Sequence, residues 1–346
     1  MKRPAFLKKG DTIGITAPSF GCTTEPYKSR LKKSIRIFEE RGYKVKVGKT
    51  VFMADGKGIS TDPAKAAEEL TAFYTDPEVK AIISAGGGEC MCETISHLDF
   101  DLIKKSPAKW FSGYSDNTNF IHPLVTIAGV AAIYGPCISG FGKRWEEPEE
   151  DCLALLEGKC LSVKGYKKFQ SPEDEDENSE IYILNKKKIL KNFIPSEKKL
   201  IKADKNTSLS FEGTLLGGCL DVLENLAGTR FDKTLSFIKK QDKIVWVLEA
   251  CDGLPTDIRR WTWHLKECGW FQNAAGFIIG RPLNAFGKKM MGIDQYNAVT
   301  DILKELEVPV IMDADMGHID PAMPLIIGSK TKVKAKGNDL SLDFSF

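Results

Sequence analysis

Short apolar runs alternate with amphipathic stretches through the first half of the chain. Asp11-Thr12-Ile13-Gly14-Ile15-Thr16-Ala17-Pro18-Ser19 reads as a strand running into a loop. From Lys28 to Arg41 apolar and basic positions recur at helical spacing, and Gly42 follows where a C-cap glycine belongs. Lys44 to Val47 gives a second short strand and Ala64 to Tyr74 a second helix. Ala81-Ile82-Ile83-Ser84 is a third strand that ends in glycines. Trp110-Phe111-Ser112 leads into a turn at Ser115, and Val130 to Tyr134 is a fifth strand. Strands alternating with helices in this way predict an α/β fold with a doubly wound parallel sheet, flavodoxin- or Rossmann-like. Such sheets bind ligands beyond the carboxyl ends of their strands. The turns at Gly86 and Ser115 both fall at such ends.

The rhythm breaks between residues 164 and 208. Ser171 to Glu180 is an acidic run, and Lys186-Lys187-Lys188 and Lys198-Lys199 are basic clusters. The segment reads as a solvated linker or long loop. A flap carrying Tyr166, Phe169, Tyr182 or Phe193 to a ligand is the alternative. The pattern resumes near Leu209. Gly217-Gly218-Cys219-Leu220 leads into a helix, Lys243 to Glu249 is a strand, and a helix runs from about Asp257 to Cys268. Strands follow at Ala275–Ile279 and Val308–Ile311, and short alternating strands at 325–328, 331–334 and 340–344 predict a mixed sheet. The predicted organisation is an N-terminal α/β domain over 1–163, a linker over 164–208, and a smaller C-terminal mixed α/β domain over 209–346.

Composition narrows the class. The chain has 346 residues, 42% hydrophobic and 28% charged, which suits two globular domains. Its 49 basic and 47 acidic residues leave a net charge of +2, which gives no support for a nucleic-acid partner. No stretch approaches the ~18 consecutive apolar residues of a membrane helix, so no membrane partner is expected. Met1 to Lys9 carries charge without an apolar core, so no secretory signal is read and a cytoplasmic location is expected. The nine cysteines, Cys22, Cys90, Cys92, Cys137, Cys152, Cys160, Cys219, Cys251 and Cys268, are scattered and read as free thiols packed as small apolar side chains. Cys90 and Cys92 are too close for a zinc pair, so no metal is expected.

Three reactive side chains end apolar runs: Ser115 in Gly113-Tyr114-Ser115-Asp116, Glu249 after Val247-Leu248, and His318 after Met316-Gly317. A hydroxyl, a carboxylate and an imidazole are the parts of an acyl-transfer triad. A serine in a strand-to-helix turn presents its hydroxyl above the sheet edge, with the next N–H facing an oxyanion. Asn117 stands where the second glycine of a G-x-S-x-G elbow would be. The plainer reading is that Ser115 or Asp116 caps the helix that follows. Gly86-Gly87-Gly88 would bring backbone N–H groups to a substrate oxygen, or make an ordinary turn. Glu89 and Cys90 follow directly, so the dinucleotide fingerprint of a nicotinamide enzyme is missing. Glu249 ends a buried strand, where a carboxylate must be paired or solvated. Its partner is an imidazole on one reading and Arg259 or Arg260 on the other. Asp313, Asp315 and Asp320 beside His318 open a metal-site alternative, to which a single imidazole lends little. His264 lies in a predicted helix among Trp261, Trp263 and Leu265 and reads as packed.

In this order the segments resemble the LD-carboxypeptidase family of serine peptidases, which includes muramoyltetrapeptide carboxypeptidases and microcin C self-immunity peptidases. The resemblance runs from Gly10–Ser19 through Gly86-Gly87, Gly113-Tyr114-Ser115-Asp116 and Tyr134-Gly135-Pro136. It continues through Leu216–Leu220, Leu248-Glu249, Arg260 with Leu265, Gly276–Gly280 and Gly317-His318 to Pro324 and Gly328. It implies Ser115 as nucleophile, His318 as general base and then acid, and Glu249 as its orienter, with the triad drawn from both domains. It implies an oxyanion hole from the backbone N–H groups of Asp116 and Gly87, with Gly86 and Gly88 against substrate. No cofactor or metal and a homodimer are implied. The substrate would be a small peptide such as a murein tetrapeptide losing its terminal D-Ala, or else an aminoacyl- or peptidyl-nucleotide amide. The glycine loop reads Ala85-Gly86-Gly87-Gly88-Glu89 here, where the murein branch often has Arg-Gly-Gly-Tyr-Gly. Asp252 and Gly253 follow Glu249 where the immunity branch tends to be basic, and no Trp lies between Trp145 and Trp246. A non-catalytic small-ligand-binding protein is the reading from another class.

Overall fold

A computed structural model describes residues 1–174 and 176–346. The chain forms two compact units. One comprises Met1–Leu161, Asp176–Tyr182 and Pro324–Ile327, and the other the remaining segments Ser162–Glu175, Ile183–Met323 and Gly328–Phe346.

In the first unit, strands and helices alternate: β1 (Thr12–Thr16), α1 (Tyr27–Glu40), β2 (Lys44–Val47), α2 (Pro63–Thr75), β3 (Val79–Ser84), α3 (Met91–Ile95), α4 (Phe100–Lys105), β4 (Trp110–Gly113), α5 (Thr118–Thr126), β5 (Ala132–Tyr134) and α6 (Glu147–Glu157). The five strands lie parallel in the order β5-β4-β3-β1-β2. Ile13, Ile15, Ile82, Ile83 and Phe111 are fully buried, as parallel strands covered on both faces require. Local chemistry sets the helix ends. The Asp62 carboxylate accepts from the N–H of Ala64 at 3.0 Å, with Pro63 at the first helical position of α2. Strand order reverses between β1 and β3, so the loops that leave the carboxyl ends of β1, β3 and β4 gather at the point where such sheets hold ligands. Those loops carry Ser19, Gly86–Gly88 and Ser115. A sixth strand, Leu325–Ile327, runs antiparallel beside β5. It comes from far down the chain and was expected in the C-terminal sheet.

In the second unit the strands are β6 (Ser162–Lys164), β7 (Lys168–Phe169), β8 (Lys186–Lys187), β9 (Lys191–Ser196), β10 (Lys199–Lys202), β11 (Ser208–Cys219), β12 (Ile244–Glu249), β13 (Ala274–Gly280), β14 (Lys289–Met290), β15 (Ile293–Asp294) and β16 (Val310–Ala314). The strand at 325–327, already placed, is β17, and β18 (Lys330–Lys336) and β19 (Asp339–Ser345) close the chain. Helices α7 (Leu220–Leu226), α8 (Thr234–Ile238), α9 (Pro255–Glu267) and α10 (Asn297–Leu303) intervene. The main sheet has the order β10-β9-β16-β13-β12-β11-β18-β19-β6, parallel at its centre and antiparallel at both sides. The sheet is mixed, as expected, but with nine strands against six it is the larger of the two. Strand β11 shows both regimes: its first half alternates exposed and buried residues against β18, and from Leu215 it is buried throughout against β12.

The segment 164–208, read as linker or loop, carries strands β7 to β10, and β9 joins the edge of β16. Part of it is held by specific contacts. The guanidinium of Arg30 donates to the carbonyl of Ser179 at 2.9 Å, Lys33 pairs with Glu180, and Tyr182 donates to Glu149. Glu175, within the acidic run, lies outside the described residues. Of the aromatics considered for a flap, Tyr166, Phe169 and Tyr182 are buried, and Phe169 packs edge-on against Phe286 beneath the Arg281 guanidinium. Their faces are occupied by protein. No helix among the described residues is long and apolar enough to cross a membrane.

Candidate active site

Ser115 sits at the carboxyl end of β4 with φ +62°, a left-handed conformation rare for a residue with a Cβ. The surrounding hydrogen bonds hold it there. The Ser115 N–H donates to the Tyr134 hydroxyl at 3.1 Å. Asn117 occupies the place of the elbow's second glycine and serves as a staple. Its amide donates to the carbonyl of Gly86 at 2.8 Å and to that of Tyr114 at 3.0 Å, tying the glycine turn to the serine turn. A Cβ on Gly87 would stand 3.3 Å from Ser115 Oγ, so the bare backbone of Gly87 lies beside the hydroxyl.

Asp116 does not cap the helix that follows it. Its buried carboxylate accepts from the Ser19 hydroxyl at 2.5 Å, from the N–H of Met91 at 2.9 Å and from the Asn119 amide at 2.7 Å. It therefore joins the ends of β1, β3 and β4. Burial pushes its pKa above the ordinary carboxylate range against these three donors, which pull it down. Ser19, Asn117, Tyr134 and the Asp116 side chain were not read as site residues. A polar residue directly after each apolar run was the available signal.

The other cluster belongs to the second unit. Glu249 ends the central strand β12, where only 2% of its surface is exposed, and it pairs across the ladder with Cys219. His318 lies in the loop after β16. Its Nδ1 is 2.8 Å from Glu249 Oε2, and its side chain is 10% exposed. Arg259 and Arg260, the other partners considered for Glu249, turn instead to Asp301 and Asp257. Gly317 has φ +96°, and a Cβ there would stand 2.5 Å from Glu249 Oε2, so only glycine lets the loop close on the carboxylate. Burial drives the imidazole toward neutrality, yet the Glu249 carboxylate, joined by the Cys251 contact, outweighs it and holds the His318 pKa well above the ordinary range. The Cys251 thiol also hydrogen-bonds His318, a neighbour that sequence reading missed.

Two of the aspartates near His318 have protein donors. Asp313 accepts from Gln295 and from the Tyr296 hydroxyl, both at 2.8 Å, and Asp315 from Arg281 at 2.8 Å. Among the described residues, no group of three or more His, Cys, Asp or Glu side chains is placed to hold a metal ion. His264 is helical but half-exposed, 3.5 Å from Glu224, rather than packed. Of the cysteines, Cys22, Cys137, Cys152 and Cys219 are buried, whereas Cys92 and Cys160 are exposed. Burial pushes the Cys22, Cys137 and Cys152 thiols up to about 12, which suits inert packing.

Residues 13–135 match the LD-carboxypeptidase N-terminal domain, and residues 212–333 match the LD-carboxypeptidase C-terminal domain. A probable murein peptide carboxypeptidase of Bacillus subtilis is 27% identical over 330 residues, covering 95% of this chain and 90% of that protein. The microcin C7 self-immunity protein MccF of Escherichia coli is 26% identical over 356 residues, covering 98% and 94%. Among solved structures, MccF in its wild-type apo state superposes with a TM-score of 0.77 at 22% identity, covering 99% of this chain and 98% of that one. Muramoyltetrapeptide carboxypeptidase from Oxalobacter formigenes gives a TM-score of 0.70 at 20% identity, covering 97% and 99%. With both domains matched in order around the Ser115 turn and the Glu249–His318 pair, the chain belongs to the LD-carboxypeptidase family.

Proposed function

We propose that this protein is a serine L,D-carboxypeptidase that releases terminal D-Ala from a murein tetrapeptide, with Ser115 as nucleophile, His318 as base and Glu249 as its orienter. The observation that carries the reading is the buried Nδ1–carboxylate contact of 2.8 Å between His318 and Glu249 in a chain of this family. That contact fixes the imidazole tautomer and stabilises the imidazolium formed during attack. His318 takes the Ser115 proton as the oxygen attacks the amide carbonyl. The charge that builds on the carbonyl oxygen is met by the N–H groups of Asp116 and Gly87, and one such donor is worth ~3–4 kcal/mol. His318 then protonates the leaving amine, and water releases the acyl group. Gly86 and Gly88 lie against the substrate peptide. The chemistry needs no metal or organic cofactor. We place the enzyme in the cytoplasm as a homodimer, with the nucleophile in residues 1–163 and Glu249 and His318 in 209–346.

A second substrate reading has its own support. MccF aligns over 98% of this chain, and one of its structures holds aspartyl sulfamoyl adenosine. On that reading the scissile amide joins an amino acid to a nucleotide. One mass-spectrometric assay tests both, with purified wild type beside Ser115→Ala, on a murein tetrapeptide and on aspartyl sulfamoyl adenosine. Serine-dependent loss of D-Ala is the expected result. Cleavage of the nucleotide alone transfers the protein to the second reading. Binding of either without turnover makes it a ligand-binding protein.

A further inference from the structure

A buried ion cluster stands behind the His318 loop. Asp315 is fully buried, Arg281 is 1% exposed and Lys188 is 4% exposed. Asp315 Oδ1 accepts from Arg281 Nη2 at 2.8 Å. Its Oδ2 accepts from the N–H of Tyr166 at 2.7 Å and stands 3.2 Å from Lys188 Nζ. Arg281 Nη1 donates to the carbonyl of Asp313 at 2.8 Å. The Arg281 guanidinium also faces the buried Asp313, so Lys188 is the cation that Asp315 has to itself, and an ammonium is costly to bury unless its place is specific. The space Lys188 uses is also specific. A Cβ on Gly165 would overlap Lys188 Nζ and come within 2.9 Å of Asp315 Oδ2.

From Asp315 the chain reaches His318 in three residues with little freedom between them. The Asp315 carbonyl accepts from Met323 at 2.7 Å, Met316 donates to the Ala314 carbonyl at 2.9 Å, and Gly317 packs directly on Glu249. These contacts link the backbone at Asp315 to the seat of the imidazole on Glu249.

We propose that Lys188 is a positioning residue for His318: reaching past Gly165 to Asp315, it anchors the loop that holds the imidazole on Glu249. The catalytic part of this inference rests on the proposed role of His318.

The test uses the full chain with Lys188→Met, Gly165→Ala and the double variant. Lys188→Met leaves the Arg281–Asp315 pair intact. Gly165→Ala keeps every charge and only crowds the ammonium, so it carries the test if Lys188→Met does not fold. Each is expected to lower kcat by about 10–100-fold with KM nearly unchanged, as a misplaced base does. The double variant should lose no more than the worse single one, because both remove one contact. A readout without substrate is the Nδ1 proton resonance shared by His318 and Glu249, which should shift or broaden in both variants. Wild-type kcat with an unchanged resonance in either folded variant overturns the proposal. If the wild type turns over nothing, the functional reading has failed and the resonance alone decides the role of Lys188.

Discussion

The Ser115 turn and the His318 loop solve the same problem, holding one side chain fixed, with different chemistry. The serine turn is held by the Tyr134 phenol and the Asn117 amide, while the Asp116 carboxylate behind it gathers the Ser19 hydroxyl, the Asn119 amide and the N–H of Met91. The histidine loop is held by carboxylates set against an imidazole, a guanidinium and an ammonium. Under the proposed function the contrast follows from the task. A nucleophile needs geometry that does not change with pH, and the phenol and amide bonded at Ser115 and Gly86 themselves do not titrate in the working range. A base needs a pKa set for its work, which a buried carboxylate beside it supplies. The charge-assisted bonds are also about twice as strong as neutral ones, so the loop tolerates less disturbance.

The largest effect breaks both sides at once. Ser115→Ala and His318→Ala should each remove on the order of 10⁶ of kcat, and the double variant no more, because a triad acts as a unit. Steady-state rates on whichever substrate turns over check this. Additive losses would mean that the two residues work apart.

Glu249→Gln separates the two regions more finely. It should cost about 10⁴ in kcat through loss of the oriented tautomer. It should also move the pH profile. The base must be neutral, and Glu249 holds the His318 pKa well above its ordinary value, so wild-type kcat/KM rises with pH only through that raised pKa. Removing the anion takes away the largest influence that raises the pKa and leaves burial, which favours the neutral ring, against the Cys251 contact alone. The acidic limb should therefore move to lower pH while the plateau falls. An unmoved limb would mean that Glu249 does not set the base.

How much of this was legible depended on distance along the chain. Strands β1, β3, β4, β12 and β13 are apolar runs bounded by glycine or charge, and the chemistry that ends β4 and β12, Ser115 and Glu249, could be read in place. Ser19 and Asp116 are 97 residues apart, and no local pattern joins them. Strand β11 was missed because Gly217-Gly218 reads as a turn, although the pair lies in register with Val247 and Leu248. The charge runs of 164–208 are mostly exposed, as charge runs usually are, but the strands among them were missed because the partner that orders β9, strand β16, lies far along the sequence. One signal was available: Asp313 and Asp315 end the apolar run of β16, and buried carboxylates demand donors.

Asn117→Ala should come next in size. It removes the tie between the serine turn and the Gly86 carbonyl while sparing the proposed triad. A shift of about 1 Å in the oxyanion donors costs up to ~10² in rate, so kcat should fall by tens of fold with an unchanged pH profile. A moved acidic limb would show that the two regions are not as separate as their chemistry suggests.

The smallest expected effect is the sharpest check on the neutral side. Tyr134→Phe keeps the ring, which packs edge-on to Tyr114 at 6.5 Å between centroids, and removes only the hydroxyl that accepts from Ser115 N–H. Losing one neutral hydrogen bond costs about 1 kcal/mol of stability, seen as a lower denaturant midpoint with an unchanged slope. Because Ser115 sits at φ +62°, that bond also helps hold a conformation the residue would otherwise leave. The rate should therefore fall by about fivefold, the same ~1 kcal/mol expressed in the transition state. A stability loss with no rate loss would mean that the turn keeps its shape without Tyr134, and that the Asn117 staple alone holds the nucleophile.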